Sequence, residues 1–189
     1  PDVLFQCDSR KSTPAILAAK GNHSEALKLM INANPDVLVQ CDLDGHTPAN
    51  LAFECDDSEL FNLMIQKNLK AFVHANKNGF TPVMNAASNG KKECLQLLFE
   101  TDQSLLLQKD NYGNTLAHYA VTSGCADTLK LVIEKCPDLV LQPNRQGITP
   151  AMRAAQRDTK CLKLLIDTEI KVLSQKDNNG NSLAIFAAK

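Results

Sequence analysis

The sequence predicts an all-α solenoid built from stacked helix–turn–helix units, and three observations carry that prediction. A phrase ending in Thr-Pro or a close variant returns at Thr13-Pro14, Thr47-Pro48, Thr81-Pro82, Thr115-Leu116, Thr149-Pro150 and Ser182-Leu183, in steps of 34 residues with a last step of 33. A fixed period of this length marks a repeat array rather than a globule around one central site. An apolar triad at i, i+3, i+4 follows each of the first five phrases: Leu27-Met30-Ile31, Phe61-Met64-Ile65, Leu95-Leu98-Phe99, Leu129-Val132-Ile133 and Leu162-Leu165-Ile166. That spacing draws one buried stripe along a helix. The last triad sits one residue early, which accounts for the step of 33.

Residues 76–110 show how one repeat is built. Asn76-Lys77-Asn78-Gly79 reads as a turn, with Gly79 supplying the positive φ. Gly45, Gly113, Gly147 and Gly180 recur at its place. Thr81 then reads as an N-cap and Pro82 as the first helical residue, where its missing N–H costs nothing. Val83–Ala87 forms a short first helix, with small Ala residues that let neighbours approach closely. Gly90 closes it in the left-handed conformation, Gly124 repeats this, and Asn22, Asp56 and Asp158 take the same place. The second helix carries the apolar triad. Beyond it comes one more periodic apolar residue (Leu4, Leu38, Phe72, Leu106, Val140, Leu173) expected to pin the connecting loop. Pro35 and Pro137 stand where a helix has to stop. In the first repeat Lys11 replaces the turn glycine, so strain or loosening is expected there. A helix of about two turns is marginal alone, so stability has to come from stacking.

Composition narrows the function. The net charge is -1, so nothing points to nucleic acid or an anionic membrane. No apolar run is long enough to span a bilayer. Seven cysteines, odd in number and without C-x-x-C spacing, read as free thiols of a cytoplasmic or other reducing compartment. Pro1 falls inside a repeat phrase, so the chain reads as a piece of a longer protein. No phosphate-binding glycine loop is present, and no His has Cys or acidic partners at a recurring metal-ligand spacing. Glu54, Asp56 and Asp57 form an acidic cluster best read as a solvated turn with charge at a helix N-terminus. No catalytic, cofactor or metal residues are assigned, and an enzyme is not expected.

Turn, Thr-Pro, short helix, Gly and Leu-rich second helix at this period resemble the ankyrin repeat. The match is close at Asp42-Leu43-Asp44-Gly45-His46-Thr47-Pro48 and again at Asp110–Thr115. The resemblance implies a single domain over 1–189, with units at approximately 8–41, 42–75, 76–109, 110–143 and 144–176 and a partial unit at 177–189. It also implies β-hairpin-like loops projecting as a row of fingers, with first helices lining a concave face. The family continues its phrase with Leu-His. Here only His118 keeps the histidine, while Ile16, Asn50, Met84, Met152 and Ile185 replace it. His118 is therefore expected to be a structural hydrogen-bonding residue, and much of the inter-loop network that the family builds with this histidine is expected to be missing. Ile185 and Phe186 are expected to lie under no partner helix. Some family members are hydroxylated on an Asn just before the turn, but the aligned residues here are Phe5, Val39, Val73, Leu107, Leu141 and Ser174.

What the resemblance implies about function is a non-catalytic scaffold that binds another protein through loop tips and the concave face, as a monomer. The alternatives are a substrate-recruiting region of a larger enzyme or secreted bacterial effector whose catalytic domain lies elsewhere (host cytosol in the latter case), and a spacer without a partner of its own. Residues beside each turn glycine vary from repeat to repeat. Large amphipathic side chains and arginines dominate interface energetics. His46, Phe80, Tyr112, Arg145 and Ile148 are therefore the candidate partner-binding residues. A second candidate surface lies at the ends of the first helices, at Lys20, Glu54, Ser88-Asn89, Thr122-Ser123 and Gln156-Arg157, and reads as an ordinary solvated face. Arg153 and Asn85, where other repeats have Leu17 and Leu51, are expected to open a polar patch on the concave side.

Overall fold

The computed structural model describes residues 2–55 and 57–188, so the expectations for Asp56 and for the Glu54 side chain lie outside the described residues. The protein is all-α. In chain order the helices are α1 (Pro14–Lys20), α2 (Ser24–Ala33), α3 (Pro48–Leu51), α4 (Ser58–Asn68), α5 (Pro82–Ser88), α6 (Lys92–Thr101), α7 (Leu116–Thr122), α8 (Ala126–Lys135), α9 (Pro150–Ala155), α10 (Thr159–Thr168) and α11 (Leu183–Ala187). The connection after each of the second helices α2, α4, α6, α8 and α10 forms a 3-10 turn that holds the loop apolar residues, such as Pro35–Val39 and Gln103–Leu107. The chain packs as two compact units, Pro1–Asn85 and Ala86–Lys189.

Local chemistry starts each first helix as the sequence suggests. The Thr13, Thr47, Thr81 and Thr149 hydroxyls accept from the N–H three residues on, at 3.4, 3.2, 3.4 and 3.3 Å. Ser182 makes no such bond. The fingers owe their shape to a residue the sequence reading passed over. An Asp or Asn stands three residues before each turn glycine, or before Lys11, and its Oδ1 accepts two backbone N–H groups, at i+2 and i+4. Asp8 does this for Arg10 and Ser12, both at 2.8 Å. Asp42, Asn76, Asp110, Asn144 and Asp177 repeat it at 2.7–3.1 Å. One side-chain oxygen thus satisfies two donors that a tight turn would otherwise leave to solvent. The fingers are hairpin-like without forming full strands: among the described residues the only strand-like pairings are isolated antiparallel bridges between Lys109 and Thr115 and between Lys176 and Ser182.

In the first unit, α1 packs on α2 and α3, and α2 on α4. Phe53 stacks on Phe61 with ring centroids 4.7 Å apart and meets Phe72 edge-on at 6.3 Å. Outside that core, Lys28 sits among Asp57 at 2.8 Å, Glu25 at 2.9 Å and Glu59 at 3.2 Å, tying α2 to the start of α4. Hydrogen bonding to Lys28 holds the Asp57 carboxyl down at about 2. In the second unit, α7 packs on α8 and α9, α8 on α6 and α10, and α9 on α10 and α11. Leu95, Leu98, Leu129, Val132 and Leu165 are fully buried, as the stripe predicts.

Three sequence expectations are corrected. Asp158 is not in the left-handed conformation: its φ is -150°, and it caps α10 by accepting from Lys160 and Cys161 N–H. The missing residue of the 33-residue step lies in the turn between α9 and α10, so Asp158 moves out of the glycine place and into the N-cap. Leu173 is exposed while its neighbour Val172 is fully buried. Leu38 lies in a 3-10 turn against which a following second helix, α4, packs, whereas the Leu173 turn has only α10 and the short α11 beside it. Phe186 is buried although Ile185 is exposed, because α11 lies on α9 and shelters one of the two.

The first finger carries measurable strain. Lys11 has φ of 59°, in the left-handed region where five other fingers place glycine. A Cβ there costs about 1–2 kcal/mol. Lys11→Gly is expected to raise stability in urea denaturation by about 1 kcal/mol, the added unfolded-chain entropy taking back part of the relief. No gain would mean that the turn has no strain to release.

Candidate partner-binding surface

The fingers within each unit are joined through their backbones. In the first unit Leu43 N–H donates to Arg10 O at 3.0 Å and Lys77 N–H to Asp44 O at 3.1 Å. In the second, Arg145 N–H donates to Tyr112 O at 2.9 Å and Asn178 N–H to Gln146 O at 3.1 Å. These backbone bonds fix the spacing of the tips within each unit. A side chain on a fixed backbone loses less entropy on binding than one on a mobile loop.

The five candidate residues divide by unit and by exposure. In the first unit His46 and Phe80 are half-buried. His46 Nδ1 lies 3.5 Å from Asp42 Oδ1. Asp42, Asp44 and His46 bring ligand atoms within 4.8 Å of one another. Both Asp42 oxygens are already engaged, Oδ1 by the turn amides and Oδ2 by Lys20 Nζ at 2.9 Å. The cluster is accounted for as a turn brace. In the second unit Tyr112 is 60% exposed and Arg145 is also exposed, on successive fingers. Ile148 is half-buried at the edge of a cavity of about 260 Å³, which Thr122, Arg153, Gln156 and Arg157 complete.

Beneath these tips in the second unit lies a polar network. Tyr119 Oη donates to Asp110 Oδ2 at 2.5 Å, and Asn114 Nδ2 donates to the same oxygen at 2.8 Å. Asn144 Nδ2 donates to Asn114 Oδ1 at 2.9 Å, and Arg153 Nη2 reaches that oxygen at 3.3 Å. Burial works to raise the Asp110 carboxyl, but the hydrogen bonds from Tyr119, Asn114 and the turn amides outweigh it and hold the group below its ordinary range. Burial, and then the Asp110 hydrogen bond, push the Tyr119 phenol well above its ordinary value. Arg153 and Tyr119 share this polar network in the second unit. Asn85, in the first unit, donates its side-chain amide to Asn50 O.

His118 behaves as the resemblance implies. It is fully buried, its Nδ1 accepts from Thr115 N–H at 3.1 Å, and its Nε2 lies 3.0 Å from Ile148 O. With Nδ1 an acceptor, Nε2 carries the proton and donates. Burial, only partly opposed by the bond to Ile148, lowers the imidazole to about 4. The expected loss of this network elsewhere is overturned at Asn50. Asn50, at the histidine place, accepts from Thr47 N–H at 3.0 Å through Oδ1 and donates to Phe80 O at 3.4 Å through Nδ2. An amide offers the same acceptor and donor as the neutral ring on a shorter arm. Asn50, the Asp/Asn turn brace and Tyr119 are the residues that sequence reasoning missed. The recurrence of Asp or Asn at one place in all six phrases was the signal for the second.

Residues 57–143 match the family model for ankyrin repeats (3 copies). No curated protein matches the chain in sequence. Among solved structures, the ankyrin repeat protein EF0377 is similar with a TM-score of 0.77 at 22% identity, over 92% of this chain and 89% of its own. The human ASB11 ankyrin repeat domain gives 0.78 at 17% identity, over 97% of this chain and 80% of its own. A structure of the predatory endopeptidase Bd0816 from Bdellovibrio bacteriovorus in complex with immunity protein Bd3460 gives 0.75 at 19% identity, over 97% of this chain and 92% of the matched one. At these identities the likeness is one of fold. Among the described residues no helix is long and apolar enough to cross a membrane. With the repeat phrase, the turn brace and the His118 bond in place beside these matches, residues 57–143 are ankyrin repeats and the chain as a whole has the ankyrin-repeat fold.

Proposed function

We propose that the chain is a non-catalytic module that binds a partner protein, with the loop tips as the contact surface. The observation that carries this reading is the pairing of Tyr112 with Arg145. Their backbones are bonded to each other at 2.9 Å, yet both side chains stand exposed. Nothing in the fold requires a tyrosine or an arginine there, and these are the residue types that dominate interface energies. The family supports the reading, since ankyrin repeats are a protein-interaction fold, and one similar structure is a protein–protein complex. Seven free cysteines, with the buried Cys94 and Cys161 thiols pushed up to about 12 by desolvation, support a reducing compartment as the place of action.

The test uses a photo-crosslinking amino acid at position 112, and at Leu29 as an exposed control on a second helix. A partner captured at 112 and not at 29 is then purified. Tyr112→Ala and Arg145→Ala are each expected to weaken its affinity at least tenfold, while Leu29→Ala leaves it unchanged and the urea midpoint of all three stays within error. Equal capture at both positions, or unchanged affinity in both tip variants, removes the reading.

A further inference from the structure

We propose that the cavity formed by Thr122, Ile148, Arg153, Gln156 and Arg157 seats a carboxylate of an acidic peptide segment of the partner. The proposal rests on the reading of the chain as a protein-binding module and gives one subsite its chemistry. The sequence treats Thr122, Gln156 and Arg157 as an ordinary solvated face. The structure instead gathers them with Arg153 around a cavity of about 260 Å³. That is below the ~300–1,000 Å³ of sites for drug-sized ligands and suits one side chain.

Charge gives the occupant. The chain as a whole is balanced, with 20 basic and 21 acidic residues, yet here two guanidiniums share one small cavity. Among the described residues neither is ion-paired with a carboxylate. Arg157 makes only a backbone bond, to Ala154 O at 3.0 Å, and Arg153 reaches Thr122 Oγ1 at 3.4 Å and Asn114 Oδ1 at 3.3 Å. The Asp110 carboxylate that faces Arg153 through the network is engaged by Tyr119, Asn114 and its own turn. Burial is what strains the Arg153 charge, with a smaller repulsion from Arg157, while Tyr119 and Asp110 act in its favour. An anion between the two guanidiniums relieves that strain. Because two Arg153 donors already point at Thr122 and Asn114, the remaining donors suit a planar monoanion better than a phosphoryl group with three oxygens to satisfy. Ile148 supplies an apolar wall for the methylenes of a glutamate.

The probe is a fluorescein-labelled decapeptide alternating Glu and Gly, with Gln-for-Glu and phosphoserine-for-Glu versions and inorganic phosphate beside it. Anisotropy gives affinity, and the arginine Nε–Hε NMR signals give the place of binding. The Glu peptide is expected to shift the Arg153 and Arg157 signals, and the Gln peptide is not. Arg157→Gln, on an exposed side chain that the fold does not use, is expected to weaken the Glu peptide at least fivefold with an unchanged urea midpoint. Arg157→Lys is expected to recover part of that loss, and Leu29→Ala, away from both surfaces, to change affinity less than twofold. Unshifted arginine signals overturn the proposal, as does equal affinity in Arg157→Gln. Arg157-dependent binding of only the phosphoserine peptide or phosphate also overturns it. Should the Glu peptide fail here while the partner captured at position 112 still depends on Tyr112, the pocket is wrong and the binding-module reading stands. The opposite pattern removes the loop tips and keeps the pocket.

Discussion

His118→Asn is expected to leave stability at pH 7.5 within about 1 kcal/mol of the parent, and to abolish a loss of stability that the parent suffers on acidification. The unfolded chain takes up a proton on this imidazole near 6.5, but the fold holds it off until about 4. Above pH 6.5 the ring is neutral in both states and contributes fully. Between 6.5 and 4 the unfolded chain binds the proton and the fold does not, so stability falls as pH falls. Below about 4 both states are protonated and the contribution is gone. The gap between the two values corresponds to about 3 kcal/mol. The cause is specific: protonation turns Nδ1 from an acceptor of Thr115 N–H into a second donor aimed at it.

Asparagine is the informative replacement because the molecule already uses it. Asn50 bonds Thr47 N–H and Phe80 O as His118 bonds Thr115 N–H and Ile148 O, and it does not titrate. Urea denaturation followed by circular dichroism, from pH 7.5 to 4.5, reads both proteins. Subtracting the asparagine variant cancels the carboxylates that titrate alongside. His118→Ala, which orphans the Thr115 amide and empties a buried site, is expected to cost about 3 kcal/mol at pH 7.5. A parent and an asparagine variant with parallel pH profiles would show that the buried ring does not couple folding to protons.

Thr-Pro, the turn glycines and the i, i+3, i+4 triads were legible because each acts within one turn of chain. Their positions alone place the helices and most of the buried stripe, Met30, Ile133, Leu162 and Ile166 remaining half-buried. What escaped reading depends on partners about 30 residues away. Asn50 looks like a lost histidine until its amide is seen to reach Phe80 O, and Asp158 looks like a glycine substitute until the missing residue shifts it into a cap. Leu173 keeps its register and still lies exposed, because burial there depends on which helix packs against the turn. The candidate site follows the same division. Variable residues beside the glycines pick out Tyr112 and Arg145, since the turn geometry itself points those places outward. The cavity at Arg153 and Arg157 is assembled from the ends of two different first helices, Thr122 from one and Gln156 from the next, and only stacking brings them together.

Gly147→Ala is expected to cost about 3–5 kcal/mol, and Gly180→Ala about 1 kcal/mol, although the two glycines share one backbone conformation. Their φ values are 78° and 80°, so a Cβ meets the same intrinsic penalty at both. At Gly180 nothing lies within 4 Å of the added atom. At Gly147 the atom would fall 2.5 Å from Asn178 N and Oδ1 and 2.9 Å from Asp177 C, which are mostly backbone and cannot swing aside. Relief requires the last finger to lift away, breaking the bonds from Asn178 N to Gln146 O at 3.1 Å and from Asn178 Nδ2 to Arg145 O at 2.8 Å. Since an array can lose one end while the rest stays folded, the denaturation midpoint is read together with hydrogen exchange at the Asn178 amide. That amide is expected to lose its protection in Gly147→Ala and keep it in Gly180→Ala. Equal costs in the two variants would reduce the glycine phrase to a matter of dihedral preference. Unequal costs make it the close-contact face on which one finger seats the next, and so the reason the tips that carry Tyr112 and Arg145 are held at fixed spacing.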